Sequence, residues 1–133
     1  MLSGRYRRRV GGTRTYVHTA RARLEPRGDP AALGAAVTVG LCGSWEHDGP
    51  CLWPHHSGTG SDGDVTTVRT VFCARPEHET EVRRLADAAL GSGRQEGPDG
   101  HATVWELLDS GPAEPTAEEK SLGDRLGGLA GPT

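Results

Sequence analysis

The chain is poor in the residues that build a large core. Its 133 residues include one phenylalanine and one methionine, and 34% of them are hydrophobic. This length suits a single domain, and 20 glycines and 9 prolines limit the core further. We therefore expect a small core, to which an extra tie such as a metal ion or an oligomer interface would add noticeable stability.

Long apolar segments are also missing. No stretch of the sequence is long enough to cross a bilayer, and no apolar segment follows the arginines at positions 7–9 as a secretory signal would require. The sequence therefore predicts a cytoplasmic protein with reduced thiols and no membrane partner.

Lysine is nearly absent, because every basic residue except Lys120 is an arginine. Residues 1–28 hold eight arginines and the single acid Glu25, so the net charge of -3 conceals a basic beginning and an acidic remainder. An arginine-rich arm can neutralise phosphates, but an acidic body repels a long polyanion. The charge distribution argues against nucleic acid as a partner.

Sequence motifs of common enzymes are lacking. The chain contains no G-x-S-x-G pattern, no glycine-rich phosphate loop and no dinucleotide fingerprint. Cys51 with His47 or His55 supplies the residue types of a thiolate nucleophile, but residue types alone do not make a catalytic geometry. We predict no catalytic residues.

What the chain does have is one dense run of reactive and aromatic side chains between Cys42 and His56. This run, the Cys/His/Trp loop, holds two of the 3 cysteines, half of the 6 histidines and two of the 3 tryptophans. Large aromatic surfaces beside fixed turns are typical of interaction surfaces. The predicted binding residues are Trp45, His47, Trp53, His55 and His56.

The same loop offers an alternative, a zinc site. Cys42, His47, Cys51 and either His55 or His56 would supply two thiolates and two imidazoles, which suit tetrahedral zinc. Their spacing matches no known finger or ribbon pattern. The plainer interpretation is that the cysteines are small buried hydrophobes and the tryptophans cover a small core.

Apolar periodicity predicts the secondary structure. Alternation predicts strands at Thr15–Glu25, Ala36–Trp45, Val65–Ala74 and Ala102–Leu108, and helical spacing after Pro76 predicts one amphipathic helix ending at Gly91. His18 falls on the apolar face of the first strand, where we expect a hydrogen-bonded core histidine. A polar, glycine-rich stretch, 57–64, is expected to be a loop ending in an Asp-Gly turn.

The resulting fold prediction is a small two-layer α+β domain at residues 15–110. Its antiparallel or mixed four-stranded sheet, in the order strand, strand, strand, helix, strand, carries one helix on one face. Residues 1–14 are expected to be a disordered basic arm, and residues 111–133 a disordered or weakly helical acidic tail.

The corresponding function prediction is a non-enzymatic interaction module. It would bind another protein or a second copy of itself through the uncovered sheet face or the Cys/His/Trp loop. A zinc-binding protein, with a structural or catalytic metal in the loop, is the alternative.

Overall fold

The computed structural model describes residues 12–43 and 53–130. Its helices and strands are, in chain order, β1 Arg14–Leu24, α1 Ala31–Cys42, β2 His55–Asp62, β3 Val65–Ala74, α2 Glu79–Gly91, β4 Arg94–Glu96, β5 Ala102–Ala113 and α3 Ala117–Ala130. A short 3-10 turn at Pro76–His78 precedes α2.

The strands form one antiparallel sheet in the order β2-β3-β1-β5-β4. The units β1-α1-β2 and β3-α2-β5 interlock, because β3 lies between the two strands of the first unit and β1 lies between the two strands of the second. This is the split βαβ, ferredoxin-like arrangement. The predicted α+β class is confirmed. The predicted number of elements, four strands and one helix, was wrong, because the described residues form five strands and three helices.

The main core lies between the sheet and the pair α1 and α2. Val68 and Phe72 of β3, with Ala20 and Ala22 of β1, pack against buried side chains of both helices. Trp105 of β5 is also part of this core, and its indole nitrogen donates to the carbonyl oxygen of Leu90 at 2.8 Å. Alanine at the centre of β1 lets the helices approach closely, so a chain poor in aromatics still fills its core.

Helix α1 occupies the region where we predicted a strand at Ala36–Trp45, and that prediction was wrong. Its apolar residues serve helical packing equally well, and the buried ones are Ala32, Leu33, Ala36, Val37 and Leu41. Upstream of the helix, the side chain of Asp29 accepts a hydrogen bond from the Ala31 N–H at 3.0 Å. The helix packs tightly on α2, since a Cβ at Gly40 would lie 2.8 Å from the Cβ of Ala89. The half-buried positions between the buried ones carry small or apolar residues such as Ala35 and Val39, so the sequence has no charged face to reveal a helical period.

Strand β2 lies where we expected a loop. It is polar and rich in glycine, yet it pairs with β3 along its whole length, from His55 opposite Phe72 to Asp62 opposite Val65. The predicted turn is present, because Gly63 has a φ of 66° between the two strands. Pairing with an apolar, β-branched neighbour holds a segment whose own composition favours a loop.

The far face of the sheet carries α3. Strand β5 runs to Ala113, beyond the predicted end at Leu108, and the helix follows within the stretch we predicted as a tail after Ser110. Val17, Val71 and Cys73 are buried on this face. The Cys73 thiol donates to the carbonyl oxygen of Gly123 at 3.0 Å. A Cβ at Gly123 would collide with Thr15, so the helix lies directly on β1 and β3.

One salt bridge fixes the start of α3. Arg69 of β3 donates from Nε and NH2 to the Glu119 carboxylate at 2.9 and 2.8 Å. Glu119 also forms a capping box with Thr116, since its carboxylate accepts from the Thr116 N–H and its own N–H donates to the Thr116 hydroxyl. The Arg69 hydrogen bonds, with help from Thr116, lower the pKa of Glu119 to about 2.

Replacing Glu119 by glutamine should lower the free energy of unfolding at neutral pH by about 1–2 kcal/mol, because the charge-assisted bonds to Arg69 are lost. The difference in unfolding free energy between wild type and variant should be largest above the ordinary glutamate pKa near 4.5. It should disappear as the pH falls toward about 2, where Glu119 of the folded protein takes up a proton. Urea unfolding at several pH values measures it. The exposed neighbour Glu118→Gln is the control and should change little; equal effects of the two variants would contradict this role.

Candidate functional site

Strand β2 forms one edge of the sheet and begins with the last two residues of the Cys/His/Trp loop, His55 and His56. Its inner side pairs with β3, and no strand among residues 12–43 and 53–130 pairs with its outer side. Every residue from Gly58 to Asp62 is exposed. We call the outer side of His55–Asp62 the β2 edge.

The hairpin geometry sets which backbone groups face outward. A two-residue turn, Gly63 and Asp64, joins Asp62 to Val65, and residues flanking such a turn form a hydrogen-bonded pair. Bonded pairs alternate along the ladder, so even-numbered residues of β2 bond to β3. Ser57, Thr59 and Ser61 therefore direct their N–H and C=O groups to the β2 edge.

The side chains of β2 divide between the two faces of the sheet. Ser57 lies on the α1 side, where its hydroxyl is 2.8 Å from that of Thr70. Helix α1 comes close here, because a Cβ at Gly34 would be 3.2 Å from the Cβ of Ser57. His56, Gly58 and Gly60 alternate onto the α3 side, where the glycines leave the strand uncovered.

His55 fixes the start of β2 against α1. Its Nδ1 lies 3.1 Å from the Trp53 carbonyl oxygen, which can only accept, so Nδ1 carries the hydrogen. Its Nε2 lies 3.0 Å from the Thr38 hydroxyl. The Cys42 sulfur lies 4.0 Å from Nδ1. Both ring nitrogens of His55 are thus engaged with protein groups and would have to leave them to bind a metal.

The zinc prediction gains no support from the described geometry. The Cys42 sulfur belongs to a disulfide bond, so in this form it has no thiolate to offer, which departs from the reduced thiols we expected. Residues 12–43 and 53–130 contain no group of three or more histidine, cysteine or acidic residues placed to hold a metal ion. The other predicted ligands, His47 and Cys51, lie outside the described residues, so the zinc site stays a prediction.

Three predicted binding residues lie together at the beginning of β2. Trp53 is half-buried against the core and meets the His78 ring edge-on, with ring centroids 6.3 Å apart. His55 is half-buried under α1, and His56 is exposed toward α3. Trp45, like His47, lies outside the described residues. Within residues 12–43 and 53–130, these three residues therefore lie at the beginning of the β2 edge.

A second polar cluster surrounds His18, which is 3% exposed. Arg83 lies 3.0 Å from its Nδ1 and can only donate, so Nδ1 accepts and the hydrogen is on Nε2, which lies 2.7 Å from the Asp87 carboxylate. The predicted hydrogen-bonded core histidine is confirmed. Nothing in the spacing of the chain reveals its partners, because Arg83 and Asp87 lie on α2, far along the sequence.

Ser110 of β5 joins the same cluster. The Ser110 hydroxyl donates to the Asp87 carboxylate at 2.7 Å, so the carboxylate stands between the serine and His18. In a serine–histidine pair the hydroxyl contacts the imidazole directly, whereas here Ser110 and His18 both contact the carboxylate of Asp87. The cluster instead ties β1, α2 and β5 together.

Comparison with protein-family models, with curated proteins and with solved structures gave no match. Among the described residues, no helix is both long and apolar enough to span a membrane.

Replacing His18 by alanine should lower the free energy of unfolding by about 2–3 kcal/mol, because it leaves a cavity and removes the partner of Arg83 and Asp87. The exposed His101→Ala is the matched control and should stay within about 0.5 kcal/mol of wild type. Urea unfolding measures both. An unchanged stability of the His18 variant would show that the cluster does not support the fold.

Proposed function

We propose that this protein is a non-enzymatic interaction module that binds an extended peptide segment along the β2 edge. In this mode of recognition an added strand completes a sheet through main-chain hydrogen bonds. The outward backbone groups of Ser57, Thr59 and Ser61 supply the bonding positions. Trp53, His55 and His56 lie where the added strand would end.

The observation that carries the proposal is the contrast between the two edges of the sheet. Strand β4 spans only Arg94–Glu96, and its two charged side chains are exposed and 3.6 Å apart. Short, charged edges are how proteins prevent unwanted pairing. Strand β2 spans eight residues, contains neither lysine nor proline, and pairs with β3 without a register shift. It lacks the protection that β4 has.

Two grooves beside the β2 edge support the proposal further. A groove of about 430 Å³ lies between α1 and β2 and is lined by residues such as Gly34, Thr38 and Ser57. A second groove, of about 380 Å³, lies toward α3 and is lined by Gly58, Leu122 and others. Successive side chains of an added strand alternate between the two faces of a sheet. Each groove is therefore placed to receive every second side chain of a bound segment.

A proline at position 59 tests the main-chain mechanism. Thr59→Pro removes an outward N–H without breaking the ladder to β3, a position where an edge strand tolerates proline. Peptides selected by display on the wild-type protein should lose most of their affinity for this variant. Thr59→Ala keeps the N–H and should retain it. Calorimetry measures both affinities, with melting temperatures to verify folding.

Amide chemical shifts locate the binding site independently. Selected peptides should move the amide signals of Ser57, Thr59 and Ser61 more than those of α2. Peptides that bind Thr59→Pro as tightly as wild type, or that perturb only distant amides, would contradict the proposal.

A further inference from the structure

The amino-acid sequence at the centre of β2 is a palindrome. Its five residues are Ser57-Gly58-Thr59-Gly60-Ser61. In an antiparallel pair of β2 strands related by a twofold axis at Thr59, Thr59 faces its own copy. Ser57 then faces the copy's Ser61, and Gly58 faces the copy's Gly60. The strand is self-complementary in size and shape, and the facing glycines leave no side chain to clash.

The same register satisfies the backbone. Ser57, Thr59 and Ser61 are the residues whose N–H and C=O groups point outward, and centring on Thr59 places each of them opposite another. Such a pair exchanges two N–H···O=C bonds. A slip of one residue would set outward groups opposite inward ones and would place unlike faces together.

Charge favours the pairing centred on Thr59 over pairings in which one strand is shifted by two residues along the other. His56 and Asp62 are both exposed and flank the five central residues on the same face of the sheet. With Thr59 on the axis, His56 of each chain lies directly opposite Asp62 of the other, at both ends of the pair. An imidazole facing a carboxylate is favourable as a hydrogen bond and more so as an ion pair. Centring on Gly58 or Gly60 loses both contacts.

We infer that the segment which occupies the β2 edge is the β2 strand of a second copy, so that the protein is a homodimer with one continuous sheet across its twofold axis. This inference rests on the proposed function, because it names the partner of the same edge. An isologous contact of this kind closes on itself, so pairing stops at two chains.

Sedimentation of the full-length chain over a range of concentrations tests the inference. The wild type should be a dimer that dissociates on dilution. Thr59→Lys places two ammonium groups opposite each other on the axis, which should raise the dissociation constant about tenfold or more. Thr80→Lys adds the same charge to an exposed position of α2 and should leave the dimer unchanged.

A charge swap tests the register. His56→Asp and Asp62→His should each weaken the dimer, because each places two like or two neutral groups opposite one another at the ends of the pair. The double variant restores opposite partners at both ends and should recover most of the affinity. Recovery of this kind requires that the two positions face each other across the interface.

The outcomes separate this inference from the function it rests on. A wild type that is monomeric at every accessible concentration, or a dimer that Thr59→Lys leaves intact, overturns the homodimer. If selected peptides still bind in a manner sensitive to Thr59→Pro, the edge binds other segments and only the inference fails. If neither dimer nor peptide depends on position 59, both proposals fail. Loss of the dimer in Thr59→Lys with charge-swap recovery supports the inference.

Discussion

Backbone pairing of β1 on both of its sides is the constraint on which the rest of the structure depends. Strands β3 and β5 flank it over most of its length, and helices pack on both of its faces. Its fully buried residues toward α1 and α2 are either small, as Ala20 and Ala22 are, or hydrogen-bonded, as His18 is. A strand enclosed in this way can organise a domain with little aromatic content, since each neighbour buries surface against it.

The sequence predicted the elements whose local pattern is distinct, namely the β-branched run of β3, bounded by the Asp-Gly turn and Pro76, and the amphipathic spacing of α2. The strand at Val65–Ala74 has the predicted bounds, and α2 ends at Gly91 as expected. Helix α1 was missed because its half-buried positions carry small or apolar residues rather than charged ones, so its sequence shows no clear period. Strand β2 was missed because its stability comes from β3 rather than from its own side chains. Tertiary contact overrode local preference in both segments.

The site predicted from the sequence and the site proposed from the fold rest on different atoms of neighbouring residues. The predicted residues within the described part of the chain, Trp53, His55 and His56, lie at the beginning of the β2 edge. The sequence assigned importance to their side chains as ligands or contact surfaces. Our proposal instead rests on the main chain just beyond them, in a stretch of serine, threonine and glycine whose side chains have little chemical reactivity. Outward backbone groups depend on strand order and hairpin register, and neither can be read from one polar segment.

Because α3 covers Cys73, the reactivity of this thiol reports when the helix detaches from the sheet. Burial raises the pKa of the Cys73 thiol, and Gly123 accepts its hydrogen. Alkylating reagents attack the thiolate, so they can reach this sulfur only when the helix lifts away. The rate of labelling under native conditions therefore measures the free energy of that local opening, separately from global unfolding. Detachment of one helix can in this way be followed without introducing a probe.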